Sequence, residues 1–299
     1  MNPKKLSLTI AIPTYNRAQK VSVLARSVLD QLQSGEELLI IDDGSPDNTY
    51  DLLSAMHGVR VHRQLPNQGM VKTWNACLQL ASSDWICIIH DDDILCEGAL
   101  QAIRSACLIA GEPALIIHTP TVKGKASKLI YKILSSGPSA VFCSATGTVP
   151  SGAVVHKQIV ESLGGFDEEL AYSSDIEYFA RINTQYKLMV IEAPMIVDFQ
   201  LHSDNYQYKT WLKQDFYSQL LEIERRVILY SGLDGAEATF QFNKRIVGYL
   251  TYITERSTQL GIRVLMRKFG LLLWRASGAG RRDRLKGLTT LLKSWTPIF

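Results

Sequence analysis

The chain has 299 residues, of which 46% are hydrophobic and 20% charged, the balance of an ordinary soluble globular protein. No stretch approaches the roughly 20 apolar residues needed to cross a bilayer, and the short apolar run at residues 6–12 is cut by Pro13 and Arg17 with no small-residue cleavage site behind it, so it reads as a strand and not a signal peptide. The net charge of +3 is uneven: residues 244–299 hold 12 Lys or Arg against 2 Asp or Glu, a balance of +10, which leaves −7 for residues 1–243.

The elements follow in chain order. Residues 6–12 form a nearly continuous run of strand formers ended by Pro13, the pattern of a strand covered on both faces. Residues 18–32 carry Val21, Leu24, Val28 and Leu32 at helical spacing, and Gly35 ends that helix. Residues 37–41 predict a second strand, followed by the cap-rich turn Asp42-Asp43-Gly44-Ser45-Pro46-Asp47-Asn48-Thr49. The alternation continues with a helix at 49–56, a strand at 59–62, a helix at 70–80 and a strand at 85–89. Strands alternating with helices predict right-handed βαβ units and a mostly parallel sheet with helices on both faces. A helix at 97–109 and a strand at 114–118 follow, and residues 119–150 then read as a long substrate-facing or mobile segment rich in Ser, Gly, Thr and Lys. Order returns with a strand at 151–155, a helix at 157–163, a helix through Asp175, Tyr178 and Arg181, and strands near 188–191 and 195–201. The rest reads as helices.

The fourth strand leads into His90-Asp91-Asp92-Asp93. Three adjacent carboxylates at the end of a buried strand repel one another, so a cation or water must offset the cost. An acidic turn capping the next helix is one reading, and a divalent-metal site is the other, since Asp oxygens suit Mg²⁺ or Mn²⁺. In open α/β sheets ligands bind beyond the carboxyl ends of the strands. Residues 13–17, 42–47, 67–69 and 90–93 all fall at such ends, and this convergence favours the metal reading. The first turn is Pro13-Thr14-Tyr15-Asn16-Arg17, with no G-x-G-x-x-G or G-x-x-x-x-G-K-[ST], so a dinucleotide enzyme or a P-loop NTPase is not expected. The five cysteines, Cys77, Cys87, Cys96, Cys107 and Cys143, contain no C-x-x-C pair and read as buried thiols in a reducing compartment, which points to a cytoplasmic protein.

The stretches IPTYNR (12–17), IDDGSPDNT (41–49), NQG (67–69), HDDDIL (90–95), GGFDEEL (164–170) and SDIEYFARI (174–182) together resemble the inverting, nucleotide-sugar-dependent glycosyltransferases of family 2. The resemblance covers about residues 6–205 and implies an α/β GT-A fold: a Rossmann-like, mostly parallel sheet flanked by helices, as a catalytic domain at residues 1–205, with a helical, basic C-terminal extension at 206–299. It implies a metal-dependent hexosyl- or N-acetylhexosaminyl-transferase, in bacterial-type surface polysaccharide or glycolipid synthesis, using Mg²⁺ or Mn²⁺ and a UDP-sugar as first expectation. The acceptor would be a saccharide or a lipid-linked saccharide. Donor contacts would come from Pro13, Thr14, Tyr15, Arg17, Asp42, Asn67, Gly69, Lys72, Asn75, Asp91 and Asp92, with Asp43 holding its turn. Asp92, Asp93 and His202 would hold the metal, and Asp175 would be the catalytic base, a residue that also reads as a helix N-cap. The chain departs from the family pattern at His90, which stands for the first Asp of D-x-D-D, at Trp74, where Arg is commoner, and at Ser174, which replaces the Glu of a Glu-Asp pair. Two other readings stand beside this one. They are a sugar nucleotidyltransferase, for which residues 11–20 lack the expected glycine-rich basic loop, and a non-catalytic nucleotide-sugar-binding scaffold.

The basic C-terminal segment has a helical rhythm at residues 260–276, with Arg263, Arg267, Lys268 and Arg275 among Leu, Met, Phe and Trp. Such a helix suits an anionic membrane surface and equally suits packing against protein, and peripheral contact with the cytoplasmic leaflet is the expectation. Nucleic acid is not expected as a partner, because no recognised fold or aromatic platform accompanies the charge.

Overall fold

A computed structural model of the chain describes residues 6–119, 128–145, 150–199, 210–211, 213–259 and 271–272. The chain divides into two compact units, residues 1–200 and 201–299.

The first unit opens with β1 (Leu8–Thr14), α1 (Ala18–Leu29), β2 (Glu37–Asp42), α2 (Thr49–Ser54), β3 (Val59–Arg63), α3 (Met70–Leu80) and β4 (Trp85–Ile88). It continues through β5 (Ile94–Leu95), α4 (Ala99–Ala110), β6 (Ala114–His118), β7 (Ile130–Leu134), α5 (Pro138–Ser144), β8 (Ala153–His156), α6 (Lys157–Leu163), α7 (Ser174–Ile182), β9 (Lys187–Ala193) and β10 (Val197–Asp198). Eight strands form one sheet in the order β3-β2-β1-β4-β8-β6-β9-β7. The β1–β2, β2–β3, β1–β4 and β6–β9 ladders are parallel, while β8 and β7 run against their neighbours.

Both faces of the sheet are covered, as the apolar runs of its central strands require. Leu8, Ile10 and Ile12 of β1 pack into one core with Val21, Leu24 and Val28 of α1 and Leu100 and Ile103 of α4. Ala11 points the other way, into a second core with Val71, Trp74 and Leu78 of α3, Ile159 of α6 and Tyr178 and Phe179 of α7. The two-residue period of a strand thus divides one hydrophobic segment between two cores. Cys77, Cys87 and Cys107 are buried thiols, whereas Cys96 and Cys143 are only partly covered.

Two sequence expectations change here. Residues 119–150 are not a plain loop: within them β7 pairs with β9 at the sheet edge and α5 follows, capped by Gly137 and started by Pro138. Of the expected strand at 195–201, of which residues 200 and 201 lie outside the described residues, Val197 and Asp198 form β10 and pair with Leu95 and Ile94 of β5 in a separate two-stranded sheet. Pro194 cannot donate to a ladder, and the main sheet takes its strand from residues 187–193 instead.

The second unit contains α8 (Phe216–Ser231) and α9 (Gly235–Gln259), separated by Gly232 in the left-handed region. Phe216, Leu220, Ile223 and Val227 of α8 and Ile246, Val247, Leu250 and Ile253 of α9 are buried. Glu224 is buried beside Arg245, whose Nη2 donates to Glu224 Oε1 at 3.1 Å; burial raises the carboxyl pKa and Arg245 opposes the rise. Among the described residues no helix is long and apolar enough to cross a membrane. Most of the basic segment after residue 259 lies outside the described residues.

Candidate active site

The site begins where β1 and β4, adjacent and parallel, end side by side. Thr14 Oγ1 donates a 2.7 Å hydrogen bond to Asp91 Oδ2, and Arg17 Nη1 donates at 2.6 Å to Asp91 Oδ1. The same Arg17 nitrogen lies 2.7 Å from Asp92 Oδ2. Burial raises the Asp91 pKa, with Arg17 and the Thr14 hydroxyl pulling against it. Arg17 is therefore a counter-cation shared by two adjacent carboxylates.

His90 is held from two sides. Its backbone N–H donates to Ser151 Oγ at 3.0 Å, and Ser151 is itself fixed by His118, whose Nε2 donates to the Ser151 carbonyl at 3.0 Å. The imidazole lies flat on Trp74, with ring centroids 5.4 Å apart and planes 10° from parallel. His90 Nε2 is buried and makes no hydrogen bond. Burial lowers the His90 pKa, which favours the neutral ring, against the pull of Asp92 and Asp91. One ring nitrogen of His90 and one carboxylate oxygen each from Asp92 and Asp93 lie within 4.8 Å of one another. This donor set fits a divalent cation: two hard oxygens, one imidazole nitrogen and an orphaned buried acceptor. Asp91 is set apart from it, since both its oxygens are engaged.

The second rim segment lies at the ends of β2 and β3. Asp42 is fully buried; its Oδ1 accepts from the Ser45 backbone at 3.2 Å, while its Oδ2 makes no hydrogen bond, although Arg63 Nε stands 3.2 Å away. Arg63 lies over the Tyr50 ring and donates to the Ser45 carbonyl. Asp43 holds the neighbouring turn: Oδ1 accepts from Gln68 N at 2.7 Å and Oδ2 from Gly69 N at 2.9 Å, and Asn67 Nδ2 donates to the Asp43 carbonyl at 2.8 Å. Gly69 adopts φ +88° at the start of α3, a conformation that favours glycine. Tyr15 and Lys72 are exposed, and Pro13 is partly exposed.

Asn75, expected as a donor contact, is engaged within the protein. It is buried on α3, its Nδ2 donating to the Phe166 carbonyl at 2.9 Å and to Glu168 Oε1 at 3.0 Å, while its Oδ1 accepts from Phe166 N at 2.8 Å. Its side chain ties α3 to the loop 164–170. Arg181 holds the same loop, donating to the carbonyls of Leu163 and Gly165 at 2.7 Å each. A side chain at Gly165 would place its Cβ 2.2 Å from Asn75 Oδ1.

Asp175 lies in the first turn of α7, but not at its cap: Ser173 occupies that position at φ +52°, and Asp175 is the second helical residue. Burial raises its carboxyl to a pKa of about 6, against the pull of the backbone N–H groups of Asp175 and Ile176. A ring series connects α7 to the acidic turn, from Tyr178 to Phe166 (4.5 Å), Phe166 to Trp74 (5.1 Å) and Trp74 to His90. His202 lies outside the described residues. Sequence reasoning missed His90 as a member of the metal-type cluster, along with Trp74 and Ser151 beside it and Arg63 beside Asp42. Only His90 carried a usable signal, as a common metal ligand beside two carboxylates.

A two-faced α/β sheet with this acid cluster at the ends of its parallel strands defines the GT-A class of transferase folds, and the solved structures agree. The crystal structure of S. aureus TarS 1–349 in complex with UDP-GlcNAc superposes with a TM-score of 0.66 at 14% identity, covering 96% of this chain and 89% of that one. The mannosyltransferase PcManGT from Pyrobaculum calidifontis, in complex with GDP-Man and Mn²⁺, gives 0.55 at 13% identity, covering 96% and 85%. Residues 9–129 match the model described as Glycosyl transferase family 2. Over that stretch the chain is similar to glycosyltransferase family 2, and it shares the GT-A fold. An uncharacterized glycosyltransferase of Haemophilus influenzae is 34% identical over 101 residues, 32% of this chain and 34% of that protein. The Mycobacterium tuberculosis protein MT1568 is 33% identical over 105 residues, 34% of this chain and 33% of that one, so the matched stretch spans about a third of these curated relatives.

Proposed function

We propose that the chain transfers a hexosyl or N-acetylhexosaminyl group from a nucleotide diphosphate-sugar to an acceptor hydroxyl, with inversion at the sugar carbon. The observation that carries this reading is the assembly of Thr14, Arg17, His90, Asp91, Asp92 and Asp93 at the ends of β1 and β4. UDP-GlcNAc and GDP-Man in the two structural neighbours support a nucleotide-sugar donor, and Mn²⁺ in one of them supports a metal. Asp92 and Asp93 would hold Mg²⁺ or Mn²⁺, whose chemistry is to neutralise charge on the departing diphosphate. Asp42 Oδ2, buried without a hydrogen bond, suits a base N–H such as that of uracil, once Arg63 moves aside. Gly69 lets backbone approach the donor, and the exposed Lys72 offers its ammonium to the diphosphate.

Asp175 serves as the base. An acceptor hydroxyl is a poor nucleophile until its proton is being removed, and a carboxylate with a pKa of about 6 is ionised near neutral pH yet more basic than an ordinary Asp. Inversion follows when this base and the leaving diphosphate lie on opposite sides of the reacting carbon. Saccharide or lipid-linked acceptors and peripheral contact through the basic C-terminal segment complete the proposal, with bacterial-type polysaccharide or glycolipid synthesis as the setting.

Thermal unfolding of the full chain with a panel of nucleoside diphosphates, with and without Mn²⁺, tests it. UDP with Mn²⁺ is expected to raise Tm, because a ligand that binds only the folded state stabilises it. Asp92→Ala should fold, lose that response and lose sugar transfer. Failure of every nucleoside diphosphate to stabilise the protein, or full transfer by Asp92→Ala, would overturn the reading.

A further inference from the structure

We propose that His90 is a direct nitrogen ligand of the divalent cation, so that the site is a mixed imidazole-carboxylate site selecting a first-row transition ion over Mg²⁺. The proposal rests on the metal reading of the acidic turn given above and adds to it the ligand atom and the selectivity.

Three independent observations carry it. The first is distance. A ring nitrogen of His90 and oxygens of Asp92 and Asp93 lie within 4.8 Å of one another. An ion with bonds of about 2.0–2.2 Å can bridge atoms up to roughly 4.4 Å apart, so a closure of a few tenths of an ångström suffices. The second is the state of the ring. His90 Nε2 is buried and makes no hydrogen bond, and an orphaned buried nitrogen beside two carboxylates calls for a partner that protein atoms do not provide. The third is orientation. The imidazole is fixed flat against the buried indole of Trp74, at 5.4 Å and 10°, and its backbone N–H is fixed by Ser151 Oγ. Ligands held in place by packing and outer hydrogen bonds bind better than mobile ones, because less ordering is left to binding.

The position of Asp91 explains why the nitrogen is needed. Thr14 and Arg17 take both Asp91 oxygens, so the carboxylate next to His90 in sequence is committed to the β1–α1 turn. His90 groups instead with Asp93 and with Asp92, which also shares Arg17. Imidazole favours transition ions, for which affinity rises from Mn²⁺ toward Cu²⁺, whereas Mg²⁺ favours oxygen ligands and keeps its waters. Trp74 and His90 are two of the positions at which the chain departs from the family pattern, and the structure places the two rings in contact.

The test uses the metal-free full chain and the ions alone, with no sugar donor. Calorimetric titration should give Mn²⁺ at least about tenfold tighter binding than Mg²⁺. Pulsed electron paramagnetic resonance of the Mn²⁺-loaded protein should show coupling to a directly bound ¹⁴N nucleus. His90→Phe preserves an aromatic ring against Trp74 and should remove the ¹⁴N coupling. His90→Asp should also remove it and narrow the Mn²⁺/Mg²⁺ affinity ratio by about tenfold; loss of an outer-shell partner alone costs about 10–100-fold in affinity elsewhere. Asp92→Asn should weaken all binding. Mn²⁺ binding that Asp92→Asn abolishes but that lacks ¹⁴N coupling, or coupling that survives in His90→Phe, overturns the nitrogen ligand while leaving the metal site standing. Absence of Mn²⁺ binding to the wild-type chain overturns both.

Discussion

Asp175→Asn should make the protein more stable at neutral pH while abolishing transfer. Burial raises the Asp175 carboxyl from the ordinary 3.8 to about 6. Above pH 6 the group is ionised in both folded and unfolded chains, and the folded chain bears the full cost of holding a charge where water is scarce. Below 3.8 both states are protonated and the cost vanishes. In between, the unfolded chain releases its proton first, so this group lowers stability as pH rises through the window from about 4 to 6. At about 1.4 kcal/mol per pH unit the shift corresponds to roughly 3 kcal/mol, and the partial exposure of the residue trims this to about 1–2 kcal/mol. Asparagine keeps an oxygen for the backbone N–H groups of residues 175 and 176 and carries no charge. Its stability gain should therefore raise Tm by about 2–8 °C at pH 7.5, given about 2–4 °C per kcal/mol for a unit of this size, and by about half as much at pH 5. Circular dichroism melts at the two pH values measure it. An Asn variant no more stable than wild type at pH 7.5, or equally stabilised at both, would refute the reasoning. The wild-type transfer rate should rise with pH through an inflection near 6, because the base must be ionised to act.

Asn75→Ala leaves the Phe166 N–H and carbonyl without their partner. At about 1–3 kcal/mol for each unsatisfied group, urea unfolding should show a loss of about 2–5 kcal/mol. Gly165→Ala should produce a loss of similar size by forcing Asn75 out of place, since its Cβ would meet Asn75 Oδ1 at 2.2 Å. Arg17→Gln removes the cation shared by Asp91 and Asp92. It should lower stability by about 1–3 kcal/mol, and Mn²⁺ should raise Tm more in this variant than in wild type, because the ion neutralises the same carboxylates; equal shifts would show that Arg17 does not screen the site.

The βαβ frame was legible because its signals are local. Short apolar runs bounded by turn residues marked β1 and residues 114–118, and helical spacing marked α1 and residues 70–80. The β7 and α5 elements were not legible. Ile130, Tyr131 and Ile133 are exposed at the sheet edge, so β7 has no buried face to impose a period, and its existence depends on β9 lying beside it. The loop contact of Asn75 was not legible for a related reason. A polar residue on a helix looks the same in sequence whether it faces a cleft or bonds a loop 91 residues away.

The residues alone determined the alternation of strands and helices, the rim on which the polar clusters meet and the place of the acidic turn on it. Each follows from a hydrophobic pattern or from a composition confined to a few neighbouring positions. Tertiary structure alone decided the division of labour within that turn. Thr14 and Arg17 claim Asp91, Trp74 orients His90, and His90 groups with Asp92 and Asp93. The partners that claim Asp91 and orient His90 lie 16 to 77 positions away, and a distance through space has no counterpart in a pattern read along the chain.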